Sequence, residues 1–390
     1  MKKLIALALA ASALVATALT VGTTRGESAV RASNGSATTL ISCGKTRTIG
    51  LLAPITGPAA SIGILQVKWA DFYVRTYNRA HKTKFKLMKA DTQLGGANGN
   101  AEALKSAQAI RGNAKVLGVV GPAGSNEVKG TTAVLKGGGL GFVSGSATNT
   151  TLTTDGTRTG YFFRTVPPDS QQSKSVSRYI VSTLKLKRVY IIDDQEAYST
   201  GLADEVEAQL KAAGVTTTRD GVSQQQSDFS ALIAKIPRNT QLVYIPWQLP
   251  PKGQAFGQQM KTAGRPNIKL MGSDGLFDPA FSSVGSNVYD SFFPVQPTDA
   301  TITAYKASHG GQGDYFGAPS YVAAKVVGGA IDRACKDGRA TRAEVRAQIR
   351  KTNLKTSLLG LPVSFTKGGD LRGGVFGIYQ SKNGVFARVG

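Results

Sequence analysis

The chain has 390 residues and a formal charge of +23, from 47 Lys and Arg against 24 Asp and Glu. The basic residues are scattered singly, as at Lys68, Arg75, Arg79, Lys82, Lys84 and Lys86, with no basic–aromatic module. The charge therefore fits an exported protein among anionic envelope polymers better than a nucleic-acid binder. Only His81 and His309 are present, neither spaced with another ligand as a metal site requires, which removes most hydrolytic and metal chemistry from consideration.

Residues 1–22 open with Lys2 and Lys3, continue as an apolar run and carry Ala16-Thr-Ala18, the pattern of a secretory signal. The run approaches the ~20 residues of a spanning helix, so an uncleaved anchor is the alternative. Cys43 lies some way beyond that run, across Arg25, Glu27 and Arg31, and does not read as a lipidation site. Residues 23–45 read as a flexible tether rich in Ser, Thr, Gly and Ala. The remaining body, roughly 345 residues, exceeds what one core serves, so two lobes are expected.

A strand over 49–53 stops at Pro54, turns through Thr56, Gly57 and Pro58, and leads into a helix over 62–79 with Leu65, Trp69, Phe72 and Tyr73 on one face. Alternation continues with strands over 84–91, 115–121 and 140–144 and helices over 98–111 and 125–136. After Pro167-Pro168 a second series begins. Its helices fall over 171–184, 200–213, 229–235 and 253–263, and its strands over 188–193, 215–221, 241–246 and 268–271. A segment at 291–299 precedes a long helix over 320–336. Strands alternating with helices predict α/β architecture: two doubly wound lobes on parallel sheets, with a cleft at the strand carboxyl ends.

Catalytic patterns are thin. Gly141-Phe-Val-Ser-Gly145 has the wrong spacing for a nucleophile elbow, and Gly137-Gly-Gly-Leu-Gly141 precedes a strand instead of following one. No enzyme activity and no cofactor are expected. Two loop ends suit a small polar ligand instead: Gly121-Pro-Ala-Gly-Ser125, which caps a helix, and Ser144-Gly-Ser-Ala-Thr148. Asp274, in Gly272-Ser-Asp-Gly275, puts a carboxylate at an equivalent end of the second series, where an ammonium group would pair with it. Cys43 and Cys335 in an oxidising compartment suggest a disulfide, with two free buried thiols as the alternative.

These residues resemble the leucine/isoleucine/valine-binding family, type I periplasmic substrate-binding proteins of ABC importers. The likeness runs from Ile49 to Phe386 and rests on markers in order: Ile49-Gly-Leu-Leu-Ala-Pro-Ile-Thr-Gly-Pro58, Val119-Val-Gly-Pro122 with Ser125, Ser146-Ala-Thr-Asn149, Tyr161-Phe-Phe-Arg-Thr165, Ala197-Tyr-Ser-Thr-Gly-Leu-Ala203, Asp228-Phe-Ser230, and Gly369-Asp-Leu371. The resemblance implies lobes joined by a multi-strand hinge, the first made of residues 46–166 and 297–364, the second of 167–296 and 365–390. It implies ligand contacts at Ser125 and Thr148, with backbone at Ala123, Gly124, Ser146 and Ala147, a closing aromatic at Tyr198, an ammonium partner at Asp274 and an apolar wall at Phe316. Ile62 and Gln248 stand where leucine-binding relatives have tyrosines, Trp247 replaces a small residue, and the family's short disulfide is lost at Leu94 and Gly124. The implied protein is an exported monomer, in the periplasm or tethered at the membrane. It would capture an amino-acid-like ligand by hinge closure and deliver it to an ABC permease. A sensor feeding a receptor, or a site for an amide, urea-like or aromatic acid ligand, is the alternative.

Overall fold

The computed structural model describes residues 38–294, 299–310 and 315–390. The expected signal over 1–22, the tether as far as residue 37 and the lobe boundary at 296–297 lie outside them. Among the described residues no helix is long and apolar enough to cross a membrane.

Five strands form the first sheet: Thr46–Ala53 (β1), Lys84–Asp91 (β2), Val116–Val120 (β3), Phe142–Ser144 (β4) and Phe162–Arg164 (β5). All pair in parallel, in the order β2-β1-β3-β4-β5. The Val-Leu-Gly-Val-Val run of β3 is buried throughout, as a strand covered on both faces must be. One face carries Ala60–Ala80 (α1), through Trp69 and Tyr73, and the long helix Gly317–Ala334, through Val327 and Ile331. The other carries Gly99–Gly112 (α2) and Ser125–Gly137 (α3), through Ile110, Val128 and Leu135.

The second sheet has seven strands: Arg188–Asp193 (β6), Thr216–Gly221 (β7), Leu242–Tyr244 (β8), Lys269–Met271 (β9), Val288–Phe292 (β10), Gly377–Lys382 (β11) and Val385–Arg388 (β12), ordered β12-β11-β10-β9-β8-β6-β7. Helices Asp169–Arg178 (α4) and Ala197–Ala212 (α5) cover one face; Pro250–Thr262 (α6) covers the other. Five strands are parallel, but β11 and β12 run antiparallel at one edge, which the expectation of parallel sheets did not include. Asn383 and Gly384, both at positive φ, supply the two-residue turn that reverses the chain between them.

The chain passes between the sheets three times: after Arg164, after Phe292, and before Gly377. Phe365 and Leu371 are buried in the first core, so residues 365–371 stay with the first sheet, and the change of lobe expected at 365 falls later. Around these crossings Val166, Phe277, Phe292, Phe293, Phe316 and Phe376 pack together. Cys43 and Cys335 form a disulfide, and the two-residue strand Ile41–Ser42 pairs with Arg339–Ala340 beside it. The last residues of the expected tether are thus ordered against the first lobe.

Candidate functional site

At the carboxyl end of β3, Gly121 holds φ +92° with a Cβ position only 2.0 Å from the Leu52 carbonyl, so only glycine turns the chain there into the loop that starts α3. Ser125, buried at the first position of α3, accepts the Asn149 N–H at 3.2 Å, which leaves its own hydroxyl proton to donate. Ser146 has its proton committed: it donates to the Ala123 carbonyl at 2.8 Å and accepts from Gln66 Nε2 at 2.8 Å. Glu127 lies beneath the loop. It accepts the Gly124 N–H at 2.8 Å and is reached by the Ala123 N–H and the Thr92 hydroxyl. Burial nevertheless pushes its carboxyl up to about 7. The Gly124 N–H expected to meet a ligand is therefore already engaged, and Ser125 keeps a hydroxyl proton facing the crevice on this wall.

The second wall is acidic. Tyr198, in the first turn of α5, directs its hydroxyl at Asp274 Oδ1, 2.6 Å away, and at Ser273 Oγ, 2.7 Å away. Asp274 is 3 % exposed, and burial raises its carboxyl to about 6 against the bonds from Tyr198 and Gln172 that lower it. Asp169 and Asp290 are wholly buried behind it. Each is pushed well above the usual carboxylate range, first by burial and then by the Asp274 charge.

Ile62, Leu94, Ala123, Gly124, Ser125 and Ser146 face Tyr198, Gln248, Asp274, Gly275 and Phe316 across a crevice of about 320 Å³, its mouth included. The lobes touch around it. Asn149 Nδ2 donates to the Ala197 carbonyl at 2.7 Å, in a space that exists only because residue 201 is glycine: a Cβ there would sit 2.3 Å from Nδ2. Gln225 Nε2 reaches the Gly95 carbonyl at 3.3 Å, and Leu94 and Ala59 close on Leu249.

Three expected contacts are not on the crevice wall. Ala147 spends its N–H on Ser144 Oγ and its carbonyl on Arg164. Thr148 is fully buried, with its carbonyl on the Asp169 N–H and its hydroxyl beside the Asp169 carboxylate. Trp247 points into the second core, where its indole N–H donates to the Ile192 carbonyl at 2.8 Å and its ring packs on Phe229 and Phe256. Asp169, Glu127 and Gln66 were not anticipated. Both histidines lie beside α1, His81 stacked on Tyr77 and His309 on Tyr305.

The buried acids fix a pH dependence. With Asp194 also raised to about 7 by burial, five buried carboxyls, and the partly buried Glu196, titrate higher in the folded chain than in the unfolded one. The folded chain keeps these protons after the unfolded chain has released them, so stability falls as pH rises through the folded values. Without ligand, the denaturant midpoint at pH 8 should lie below that at pH 5. A midpoint that holds or rises over this range would refute the assignment.

Residues 46–382 match the sequence profile of a family described as periplasmic binding protein. A Leu/Ile/Val-binding protein of Rhizobium johnstonii is 29% identical over 350 residues, covering 86% of this chain and 92% of the relative. A leucine-, isoleucine-, valine-, threonine- and alanine-binding protein of Pseudomonas aeruginosa is 26% identical over 85% of this chain and 89% of its own length. Among solved structures, a leucine-binding protein of Thermotoga maritima superposes with a TM-score of 0.79 at 20% identity, covering 88% of this chain and 98% of that one. A solute-binding protein of R. palustris in complex with benzoate superposes at 0.77 with 17% identity, covering 88% and 96%. Two doubly wound lobes, a crevice at their facing strand ends and a profile match over most of the chain agree: it belongs to the periplasmic binding protein family.

Proposed function

We propose that this chain is an extracytoplasmic solute-binding protein that closes on an amino-acid-like ligand and presents it to an ABC permease. One observation carries the reading: a hydroxyl with a free proton at a helix N-terminus faces a buried carboxylate, Asp274, that forms no ion pair among the described residues. Ser125 and the positive end of α3 suit an anionic group. Asp274, with Asp169 and Asp290 behind it, suits a cationic one, because a desolvated carboxylate is stabilised most by a paired positive charge. A zwitterion supplies both ends. The relatives named for branched-chain amino acids support that class. An aromatic acid such as the benzoate held by the R. palustris protein would bring a second anion to Asp274 and leave it uncompensated. Ser125, Tyr198 and Asp274 are the contacts we assign, with Ile62, Leu94 and Phe316 as the apolar side of the crevice.

A ligand that binds only the folded chain at a hundred times its Kd stabilises it by about 2.7 kcal/mol. Thermal-shift measurements against the common amino acids should therefore give a rise of several degrees for at least one. Mass spectrometry after incubation should recover that ligand unchanged. A chain that shifts with benzoate and with no amino acid would reject the zwitterion reading, and a converted ligand would reject binding without turnover.

A further inference from the structure

Gln248 is held in place on both sides. Trp247 before it is anchored in the second core by its bond to Ile192, and Leu249 after it is buried against Leu94 and Ala59 of the first lobe. The turn at Asp274 lies against it closely: a Cβ on Gly275 would stand 2.7 Å from the Gln248 Cα. Asp194 lies near the backbone N–H of Gln248. Its side chain lines the crevice, is 4 % exposed, and its Nε2 has no hydrogen-bond partner among the described residues.

A buried amide donor without an acceptor is costly, and it becomes favourable when a ligand brings one. The crevice lining also includes Ile62, Leu94, Ala123 and Phe316, whose side chains carry no hydrogen-bond acceptor. With the anionic end of a zwitterion at Ser125 and the cationic end at Asp274, Gln248 is left to meet the third substituent. We propose that Gln248 selects the ligand's side chain: the crevice takes an amino acid bearing a hydrogen-bond acceptor, such as an amide oxygen, in preference to its aliphatic isostere. This rests on the amino-acid reading above and adds to it the class of side chain.

Asparagine and leucine have the same branching and differ in the terminal amide; glutamine and methionine are of similar length, and methionine offers only a weakly accepting sulfur in place of the amide. Titration calorimetry of the full chain with all four should show one amide amino acid bound roughly 10- to 100-fold more tightly than its isostere, the penalty for leaving a buried donor unpaired. Gln248→Leu should remove or invert that preference by raising affinity for the aliphatic partner. Gln248→Glu, which keeps the volume and loses the donor, should remove it without that gain. Equal binding of both isosteres, tighter binding of leucine and methionine, or an unchanged preference in Gln248→Leu would overturn the proposal while leaving the amino-acid reading intact. Binding of none of the four, with another amino acid active, also overturns it. Failure of every amino acid removes the parent reading and the proposal together.

Discussion

Asp274→Asn should weaken binding of an amino acid ten- to a hundredfold and, at the same time, raise the stability of the empty protein at pH 8. The affinity loss follows from the roughly 1.5–3 kcal/mol of a hydrogen bond to a charged group. The stability gain follows from burial. Asp274 is 3 % exposed, its carboxyl sits at about 6 chiefly because it is desolvated, and at pH 8 it must be charged in a place that disfavours charge. Its charge is also the second cause of the raised values at Asp169 and Asp290, so neutralising it relieves two neighbours. An asparagine oxygen can still accept from the Tyr198 hydroxyl, which now donates at 2.6 Å, so the substitution leaves no new orphan there. Calorimetry gives the first effect and a melting curve at pH 8 the second. Undiminished affinity would remove Asp274 from the site, and a lower melting point would show that its charge is compensated in the empty protein.

Arg164→Met should cost about 3 kcal/mol, the low end for breaking a buried ion pair from one side, because the Asp370 side chain keeps 21% of its surface exposed. Arg164 is fully buried at the end of β5. Its guanidinium meets Asp370 at 2.6–2.7 Å, the Ala147 and Asn149 carbonyls at 3.2 and 2.9 Å, and the Thr153 hydroxyl at 2.8 Å. One side chain thus joins the last first-sheet strand, the returning segment at 365–371 and the loop behind Ser125. Removing it strands a carboxylate and two carbonyls together. The double variant Arg164→Met/Asp370→Leu should recover much of the loss, since well-packed apolar replacements of a buried pair are often neutral. Urea titration of the three proteins decides the matter. A single variant within about 1 kcal/mol of the parent would mean that water replaces the arginine.

Local signals in the sequence located most of the parallel strands and nearly all the longer helices, because strands such as β1 and β3 are short apolar runs stopped by Pro or Gly. What escaped had mixed signals. Val-Tyr-Asp-Ser-Phe in β10 is interrupted by two polar residues, yet both are wholly buried, and only the packing around Asp274 explains them. The β11–β12 hairpin carried its Asn-Gly turn in plain view, but its strands are half-buried and alternate weakly.

The site divided in the same way. Residues at strand ends could be placed from the pattern of loops, whereas Trp247 and Gln248 show its limit. Neighbours on extended chain point to opposite sides, so one entered the core and the other the crevice. Asp169 read as an ordinary acid at a helix start. Nothing near it in the chain says that Asp274, more than a hundred residues away, would pack beside it.

The disulfide has a mechanical meaning. Cys43 and Cys335, 292 residues apart in sequence, both belong to the first core, and the strand just before Cys43 is stitched to the one just after Cys335. A pull entering the chain ahead of Ile41 is therefore borne by a covalent link inside the first lobe and does not pass through the three crossings. Were the chain held at its amino end, that lobe would be the fixed mount and the second the free jaw. An attachment at the amino end can hold the protein in place without loading the hinge on which ligand capture depends.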